Sequence, residues 1–342
     1  MKHVLLALKL AYADCKNSQR PNYVSITKLY KRLRKNKFIY KYSYRGRFAP
    51  SPTGPLHYGS LVAALASYLQ ARSHYGEWFV RIENIDPPRE VKGAINSILQ
   101  TLIDFDFRWD AKPILQSHRI PFHRHVACKL LQNGNAYLCK CSRKDLAKLS
   151  KTGPMGLVYP GTCSEKNLNR IESNHNNLSI RLRTNNAVFS YTDEVYGLQN
   201  CDLKNESGDY IIYRADELPS YILATSVDDL YEGYTQVVRG NDLLSITPRQ
   251  LHLSAQLNQS APSFMHIPVI VNDSGEKLSK QTHAPKIKKH HVRELLNRAL
   301  ADLGHEPPKS LRWRPVWATW SWAICNWNSD FVPRVESIKY QE

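Results

Sequence analysis

Two short segments have side chains that suit the binding of a polyphosphate. His57-Tyr58-Gly59-Ser60 lies at a predicted strand-to-helix turn, and a helix N-terminus offers free N–H groups and a positive dipole to phosphate. There Gly59 would let the backbone approach a ligand closely, and the His57 imidazole could bond a phosphate oxygen. Gly275–Gln281 carries Lys277 and Lys280, which could neutralise the charge that grows during phosphoryl or nucleotidyl transfer. A helix cap and a solvated turn would explain the same residues.

A third group of side chains could bind a metal ion. Cys139-x-Cys141 is followed by Tyr159-x-x-x-Cys163, but this cysteine spacing is shorter than usual and tyrosine is an uncommon zinc ligand. The spacing alone leaves a structural metal site and ordinary buried thiols equally open. The seven cysteines form no dense framework, which indicates a reducing compartment, so we expect a cytoplasmic protein. Cys201 is expected in a polar loop.

The composition excludes several classes of protein. The chain has 342 residues, of which 42% are hydrophobic and 23% charged, values typical of a soluble globular protein of about two domains. No apolar run approaches the roughly 20 residues of a membrane-spanning helix, so we expect no membrane partner. The phosphate loop G-x-x-x-x-G-K-[ST] and the dinucleotide turn G-x-G-x-x-G do not occur, which excludes two common nucleotide sites.

The net charge of +17 is unevenly distributed. Residues 1–44 contain eleven Lys and Arg against one acid, and residues 282–342 contain ten against six. Basic segments supply sequence-independent affinity for phosphate, so both ends suit a polyanionic partner. Improved solubility would explain the same charge.

The predicted elements would place the phosphate-binding residues at the edge of a sheet. Apolar periodicity and the positions of Pro and Gly predict a strand at Tyr44–Phe48, a proline-rich loop at 49–55 and a helix at Gly59–Tyr75. A second strand at Trp78–Ile82 and a second helix at Gly93–Phe105 follow. This order is typical of a βαβ unit that begins a parallel sheet. Further segments read as strand or buried helix (Tyr221–Val227, Thr235–Arg239, His266–Val271) or as helix (Pro248–Leu257, His291–Leu303).

Several motifs, taken together, resemble the class I aminoacyl-tRNA synthetases of the glutamyl group. They occur in the family order over about residues 45–281 and comprise Arg47–Gly54, His57-x-Gly59-Ser60, Arg81-Ile82-Glu83, Val237–Leu244, Thr247–Gln250 and Lys277-Leu278-Ser279-Lys280. The resemblance implies an α/β fold, namely a Rossmann-like parallel-sheet catalytic domain with a zinc-binding insertion and a small helical C-terminal region. The chain would then divide into a basic extension (1–44), the first half of the catalytic domain (45–119), the insertion (120–185), the second half (186–281) and the helical region (282–342).

Two features favour the short paralogue within this group. Only 61 residues follow Gln281, where a full glutamyl-tRNA synthetase carries a large anticodon-binding region. The segments Arg81–Glu90 and Lys277–Gln281 resemble the corresponding motifs of the paralogue, except that Asn84 stands where the group usually has Asp. The resemblance implies tRNA-independent, ATP-dependent activation of L-glutamate to glutamyl-adenylate. Glutamate would then pass to the queuosine cyclopentenediol in the anticodon of tRNA(Asp). The alternatives are a truncated synthetase that charges the 3′ end of tRNA(Glu) and a catalytically silent RNA-binding paralogue.

The resemblance also assigns roles to individual residues. Arg239 would pair with a glutamate carboxylate and Glu83 would meet the α-amino group, with the other glutamate contacts made by Arg47, Ser51 and Tyr221. The ATP phosphates would contact His57, Gly59 and Ser60, while Lys277 and Lys280 take the charge developing towards pyrophosphate. ATP would bring Mg²⁺, and one structural Zn²⁺ would be held by Cys139, Cys141, Tyr159 and Cys163. We expect a monomer.

Overall fold

The computed structural model describes residues 44–165, 178–185, 187–278, 287 and 291–340. The predicted basic extension up to residue 43 and Lys280 lie outside these residues. The strands are β1 (Arg45–Phe48), β2 (Glu77–Ile82), β3 (Ile114–Leu115), β4 (Ala136–Cys139), β5 (Lys151–Gly153), β6 (Gly156–Val158), β7 (Ser179–Leu182), β8 (Val188–Asp193), β9 (Gly197–Asp202), β10 (Tyr210–Tyr213), β11 (Gln236–Gly240), β12 (Ser263–Ile267), β13 (Val269–Val271) and β14 (Ser337–Lys339). The α-helices are α1 (Tyr58–Ser73), α2 (Ala94–Asp104), α3 (Ile120–Gln132), α4 (Arg143–Leu149), α5 (Leu203–Glu206), α6 (Tyr221–Tyr231), α7 (Thr247–Gln256), α8 (Val292–Asp302) and α9 (Val316–Asn326).

The predicted βαβ unit is confirmed. Strands β1 and β2 are parallel, with Arg45 opposite Glu77, and α1 connects them. The helix forms here because its apolar residues recur at helical spacing, and its residues Leu61, Leu65 and Leu69 are all buried. Strand β3 extends the sheet in parallel beside β2.

A second parallel pair continues the architecture. Strands β11 and β12 are parallel, with Arg239 opposite His266. The Thr235 N–H donates to the Arg45 carbonyl at 2.9 Å, so β11 begins beside β1. The β8–β9 hairpin adds to the far side, where Asp193 pairs with Phe264 of β12. These parallel strands and their helices confirm the predicted α/β fold class.

A separate antiparallel sheet, in the order β10-β7-β4, is formed partly by the predicted insertion. Strand β10 lies after residue 185, so this sheet joins strands from the predicted insertion and from the segment that follows it. Its core includes Leu138 and Leu182 on the sheet and Leu223 and Leu253 on α6 and α7. The five segment boundaries stay predictions.

The C-terminal region is helical, as predicted, and packs against α1. Trp320 of α9 is buried, stacks edge-on with Tyr68 at 4.9 Å, and donates its indole N–H to the Phe105 carbonyl at 3.0 Å. Strand β14 then pairs in parallel with β13. Across the described residues, none of the helices combines the length and apolarity that crossing a bilayer requires.

Candidate active site

The carboxyl ends of β1, β2 and β11 bring three predicted site residues to one edge of the fold. Arg47 is the next-to-last residue of β1, Glu83 directly follows β2, and Arg239 is the next-to-last residue of β11. Ligands of open α/β sheets bind at this edge, because the helix N-termini and the loops converge there. All three side chains are buried, at 3%, 6% and 6% exposure.

A cleft of about 360 Å³ opens at the same edge. Its lining contains five of the predicted residues, namely Ser51, His57, Gly59, Ser60 and Lys277. The structure therefore brings together the residues that the sequence assigned to ATP, apart from Lys280, which lies outside the described residues. It places Ser51 with them as an exposed residue of the proline-rich loop.

The His-x-Gly-Ser order has a local physical reason. His57 caps α1, with Nδ1 accepting the Ser60 N–H at 3.3 Å and Nε2 lying 3.0 Å from Ser60 Oγ. Because Nδ1 accepts, the ring proton lies on Nε2, which donates to the hydroxyl. A Cβ at Gly59 would lie 3.3 Å from the imidazole, so glycine leaves the ring room to fold over the first turn.

Lys277 reaches the cleft from a tight hairpin after β13. The Leu278 N–H donates to the Ile270 carbonyl at 2.7 Å, and the turn passes through Gly275 at a φ of 80°, a conformation that favours glycine. The Lys277 ammonium lies 2.6 Å from the Asp242 carboxylate. Asp242 was not among the predicted site residues.

Arg47 and Glu83 belong to a buried ionic network. Arg47 pairs with Asp229 through two nitrogens, at 3.1 and 3.2 Å, and Arg81 contacts Asp229 at 2.7 Å and Glu83 at 3.2 Å. Burial by itself would raise the pKa of Asp229, but the two guanidiniums outweigh it and hold that pKa below its usual value. Asp229 therefore stays ionised and orients Arg47. Sequence reasoning missed Asp229.

Glu83 and Tyr221 lie close to Arg47 and Arg239 and add polar groups to the site. Burial raises the pKa of Glu83, while Arg81 and Arg47 oppose the shift. Tyr221 begins α6 and is 36% exposed. Desolvation of its hydroxyl and the nearby Glu83 raise its pKa to about 12, and the cations Arg239 and Arg47 oppose them. Four of the predicted glutamate contacts, namely Arg47, Glu83, Tyr221 and Arg239, are thus electrostatic neighbours.

Arg239 is a buried cation held by neutral acceptors. Its Nε donates to His266 Nε2 at 2.9 Å, and its Nη2 donates to Thr247 Oγ1 at 2.8 Å and to the Leu243 carbonyl at 3.2 Å. Nη1 is buried and, within the described residues, has no partner. Burial lowers the pKa of Arg239, and Arg47 adds to the effect. A buried guanidinium to which the described residues supply no ion pair is well suited to an anionic ligand.

The three predicted cysteines and Tyr159 lie together. The Cys139, Cys141 and Cys163 sulfurs are all within 4.8 Å of one another. The Tyr159 hydroxyl lies 3.4 Å from the Cys139 sulfur and 3.3 Å from that of Cys141. The Cys141 and Cys163 sulfurs are 3.6 Å apart, close to the roughly 3.8 Å expected between two thiolates on one tetrahedral zinc.

Neighbouring groups make the cluster a suitable donor set for a metal. Arg181 donates from Nε to the Cys139 sulfur at 3.2 Å, and its guanidinium lies 3.9 Å from the Tyr159 ring centroid. Although burial opposes it, hydrogen bonding led by Tyr159 lowers the pKa of Cys163 to about 7, which favours the thiolate that a metal requires.

By contrast, the expectation of a polar loop for Cys201 was wrong, because it is buried in β9.

A parallel sheet with a His-x-Gly-Ser helix start and a cleft at its carboxyl edge defines a nucleotide-binding α/β domain. Residues 43–302 match the family model of the class I tRNA synthetases (E and Q), catalytic domain, and the chain belongs to this family.

Two individual relatives show which synthetases of this family the chain resembles in sequence. The glutamyl-Q tRNA(Asp) synthetase of Chromobacterium violaceum is 46% identical over 85% of this chain and 95% of its own length, and that of Pseudomonas aeruginosa is 42% identical over 86% and 97%. The crystal structure of the glutamate-tRNA synthetase from Elizabethkingia anophelis aligns with a TM-score of 0.73 at 21% identity, over 88% of this chain and 68% of that one. That likeness confirms the fold.

Proposed function

We propose that the protein activates L-glutamate with ATP and transfers it to the queuosine cyclopentenediol in the anticodon of tRNA(Asp). One observation carries the glutamate assignment: Arg239 is a buried guanidinium with an unpartnered Nη1 among the described residues, beside a cleft lined by His57 and Lys277. The acceptor is taken from the relatives named glutamyl-Q tRNA(Asp) synthetase.

Glutamate has two carboxylates and one ammonium group, and the buried residues of the site offer complementary charges. Arg239 would bind one carboxylate through its planar fork. Glu83 would accept from the α-ammonium group, and this contact favours the ionised form of Glu83 against the effect of burial. Ser51, which lines the cleft, and Tyr221 would also contact the substrate, as would Arg47, which Asp229 holds in place.

The activation step needs no nucleophile from the protein. The glutamate α-carboxylate oxygen attacks the α-phosphorus of ATP, a new P–O bond forms, and the bond to pyrophosphate breaks. Catalysis then consists of positioning and charge stabilisation. His57 and the N–H groups around Gly59 and Ser60 would hold the phosphates, while Lys277 and Lys280 stabilise the departing pyrophosphate together with the Mg²⁺ that accompanies ATP.

The second step transfers the glutamyl group to RNA. A hydroxyl of the acceptor attacks the mixed anhydride, and AMP leaves. The basic segments at both ends of the sequence would contribute phosphate affinity. The alternatives remain transfer to the 3′ end of tRNA(Glu) and a silent RNA-binding role.

Glutamate-dependent exchange of label between pyrophosphate and ATP tests the activation step. We expect exchange with glutamate and without tRNA. Exchange that needs tRNA would contradict the tRNA-independent activation proposed here. An absence of exchange both with and without tRNA would contradict an enzymatic role and favour the silent paralogue.

We further propose that Cys139, Cys141, Tyr159 and Cys163 hold one structural Zn²⁺. The sulfur separations and the lowered pKa of Cys163 support this assignment, whereas burial raises the pKa values of Cys141 and Tyr159, whose protons the ion would displace. Four protein ligands would close the coordination shell, and such sites stabilise folds rather than perform chemistry. The ion would link the end of β4 to the loop that carries Cys163.

Replacing Cys163 by Ser should remove this zinc. We expect about one zinc per wild-type chain and less than about 0.2 in Cys163→Ser, because a neutral hydroxyl replaces a thiolate ligand. The measurement is atomic emission on protein purified without added metal. Cys201→Ser is the matched control, since Cys201 is also buried but lies outside the cluster, and it should keep its zinc. Wild-type protein without metal would contradict the assignment.

A further inference from the structure

We infer that Asp193 and His266 form a positioning relay for Arg239, which fixes the guanidinium that recognises glutamate. This inference deepens the proposed function and rests on it. The three side chains lie on neighbouring strands, since Asp193 ends β8, His266 is on β12 and Arg239 is on β11. His266 and Arg239 are direct register partners in the parallel sheet.

The relay begins at a carboxylate whose hydrogen-bonding capacity is filled. Asp193 lies 2.6 Å from His266 Nδ1 and accepts three backbone N–H groups, from Val195, Tyr196 and His266, at 3.1 to 3.3 Å. Burial would raise the pKa of Asp193, but the donors that surround it, led by His266, lower it. Asp193 is therefore ionised and acts only as an acceptor.

An acceptor at Nδ1 determines the tautomer of His266. Nδ1 must carry the proton, so in the neutral ring Nε2 presents its lone pair. That lone pair accepts the Arg239 Nε–H at 2.9 Å, and Thr247 Oγ1 lies 3.3 Å from the same nitrogen. His266 is fully buried, and this burial, with Arg239, lowers its pKa, so the ring is neutral near pH 7.

The consequence for Arg239 is a fixed orientation without a competing charge. A carboxylate placed directly on Arg239 would compete with the substrate for the guanidinium, whereas a neutral imidazole holds Nε and leaves the buried Nη1 for a ligand. The other charged or titratable groups acting on this pair are Arg47, Asp229, Asp242, Tyr191 and Tyr221. Within the described part of the chain, none of these groups forms an ion pair with Arg239.

Two substitutions should disturb the relay without touching the ligand. Asp193→Asn offers an amide N–H to Nδ1, which would move the ring proton to Nε2 and oppose the Arg239 Nε–H. His266→Leu removes the acceptor. For each we expect the glutamate KM in the exchange assay to rise about tenfold, as for loss of one hydrogen bond to a charged group, while the ATP KM changes less than about twofold.

A conservative variant and a second readout separate positioning from general stability. His266→Gln keeps an acceptor near the Nε2 position and should hold the glutamate KM within about threefold of wild type. His305→Leu is the matched control, because His305 is also buried but bonds to Leu303 and Asn328. It should leave both KM values unchanged.

The ¹⁵N spectrum of labelled histidine tests the relay without activity. His266, assigned by the signal missing in His266→Leu, should be protonated at Nδ1 in the wild type and at Nε2 in Asp193→Asn. An unchanged glutamate KM in His266→Leu, or equal rises in both KM values, would overturn the relay. If the wild type shows no exchange with glutamate, the proposed function fails, and the spectrum alone then decides whether Asp193 sets the tautomer.

Discussion

Replacement of Arg239 by Gln should lower kcat/KM for glutamate in the pyrophosphate exchange assay about a hundredfold or more, equivalent to about 2.7 kcal/mol. The change removes a charged fork donor from a buried site. A substrate carboxylate would then enter a buried site without its counter-ion, which typically costs more than a neutral hydrogen bond. The loss should appear mainly in the glutamate KM, since the cleft residues proposed for ATP are unchanged.

A second arginine provides the control for this experiment. Arg72 of α1 is partly buried and pairs with Asp110 at 2.7 Å, but it lies at the far end of the helix from His57. Arg72→Gln should leave the glutamate KM within about twofold of wild type, with any effect falling on stability. If the glutamate KM of Arg239→Gln equals that of the wild type, the placement of the substrate carboxylate against Arg239 is contradicted.

The largest effect on stability is expected from Asp229→Ala, which should lower the free energy of unfolding by about 3 to 5 kcal/mol. Asp229 pairs with both Arg47 and Arg81, and both guanidiniums are almost fully buried. Removing the carboxylate leaves two like charges without their shared partner. Urea unfolding followed by circular dichroism measures the change.

The control and the pH dependence make this prediction specific. Asp216 is exposed and pairs with the half-buried Arg214, so Asp216→Ala should cost less than about 0.5 kcal/mol. Because folding lowers the pKa of Asp229, its contribution is complete above the unfolded value of about 3.9 and is lost as the pH falls below it. The difference between wild type and Asp229→Ala should therefore shrink below about pH 4. Equal effects of the two substitutions would contradict the buried network.

Local patterns sufficed for the elements that position the cleft. The helix over Tyr58–Ser73 and the strands on either side were predictable because apolar periodicity, three prolines and the flanking glycines act over a few residues. The apolar start of Tyr221–Val227 was ambiguous between strand and helix. It is the helix α6, which continues through Asp228 and Asp229, and these buried carboxylates obscured its inward face in the sequence.

Long-range pairing explains most of what the sequence did not predict. Asp229 bonds Arg47 across 182 residues, and Asp193 bonds His266 across 73. No periodicity encodes such distances, and an aspartate beside a strand is more often a turn residue. A signal was present for His266, a single polar residue in the apolar segment Phe264–Ile267. Only the fold shows that it faces Arg239.

The position of the label on RNA tests the central claim most directly. The protein would be incubated with ATP, labelled glutamate and either tRNA(Asp), with and without queuosine, or tRNA(Glu), and the RNA would be digested and mapped by mass spectrometry. We expect label only on the anticodon fragment of queuosine-containing tRNA(Asp). Label on the 3′-terminal adenosine of tRNA(Glu) would contradict the proposed acceptor and identify a translation enzyme instead.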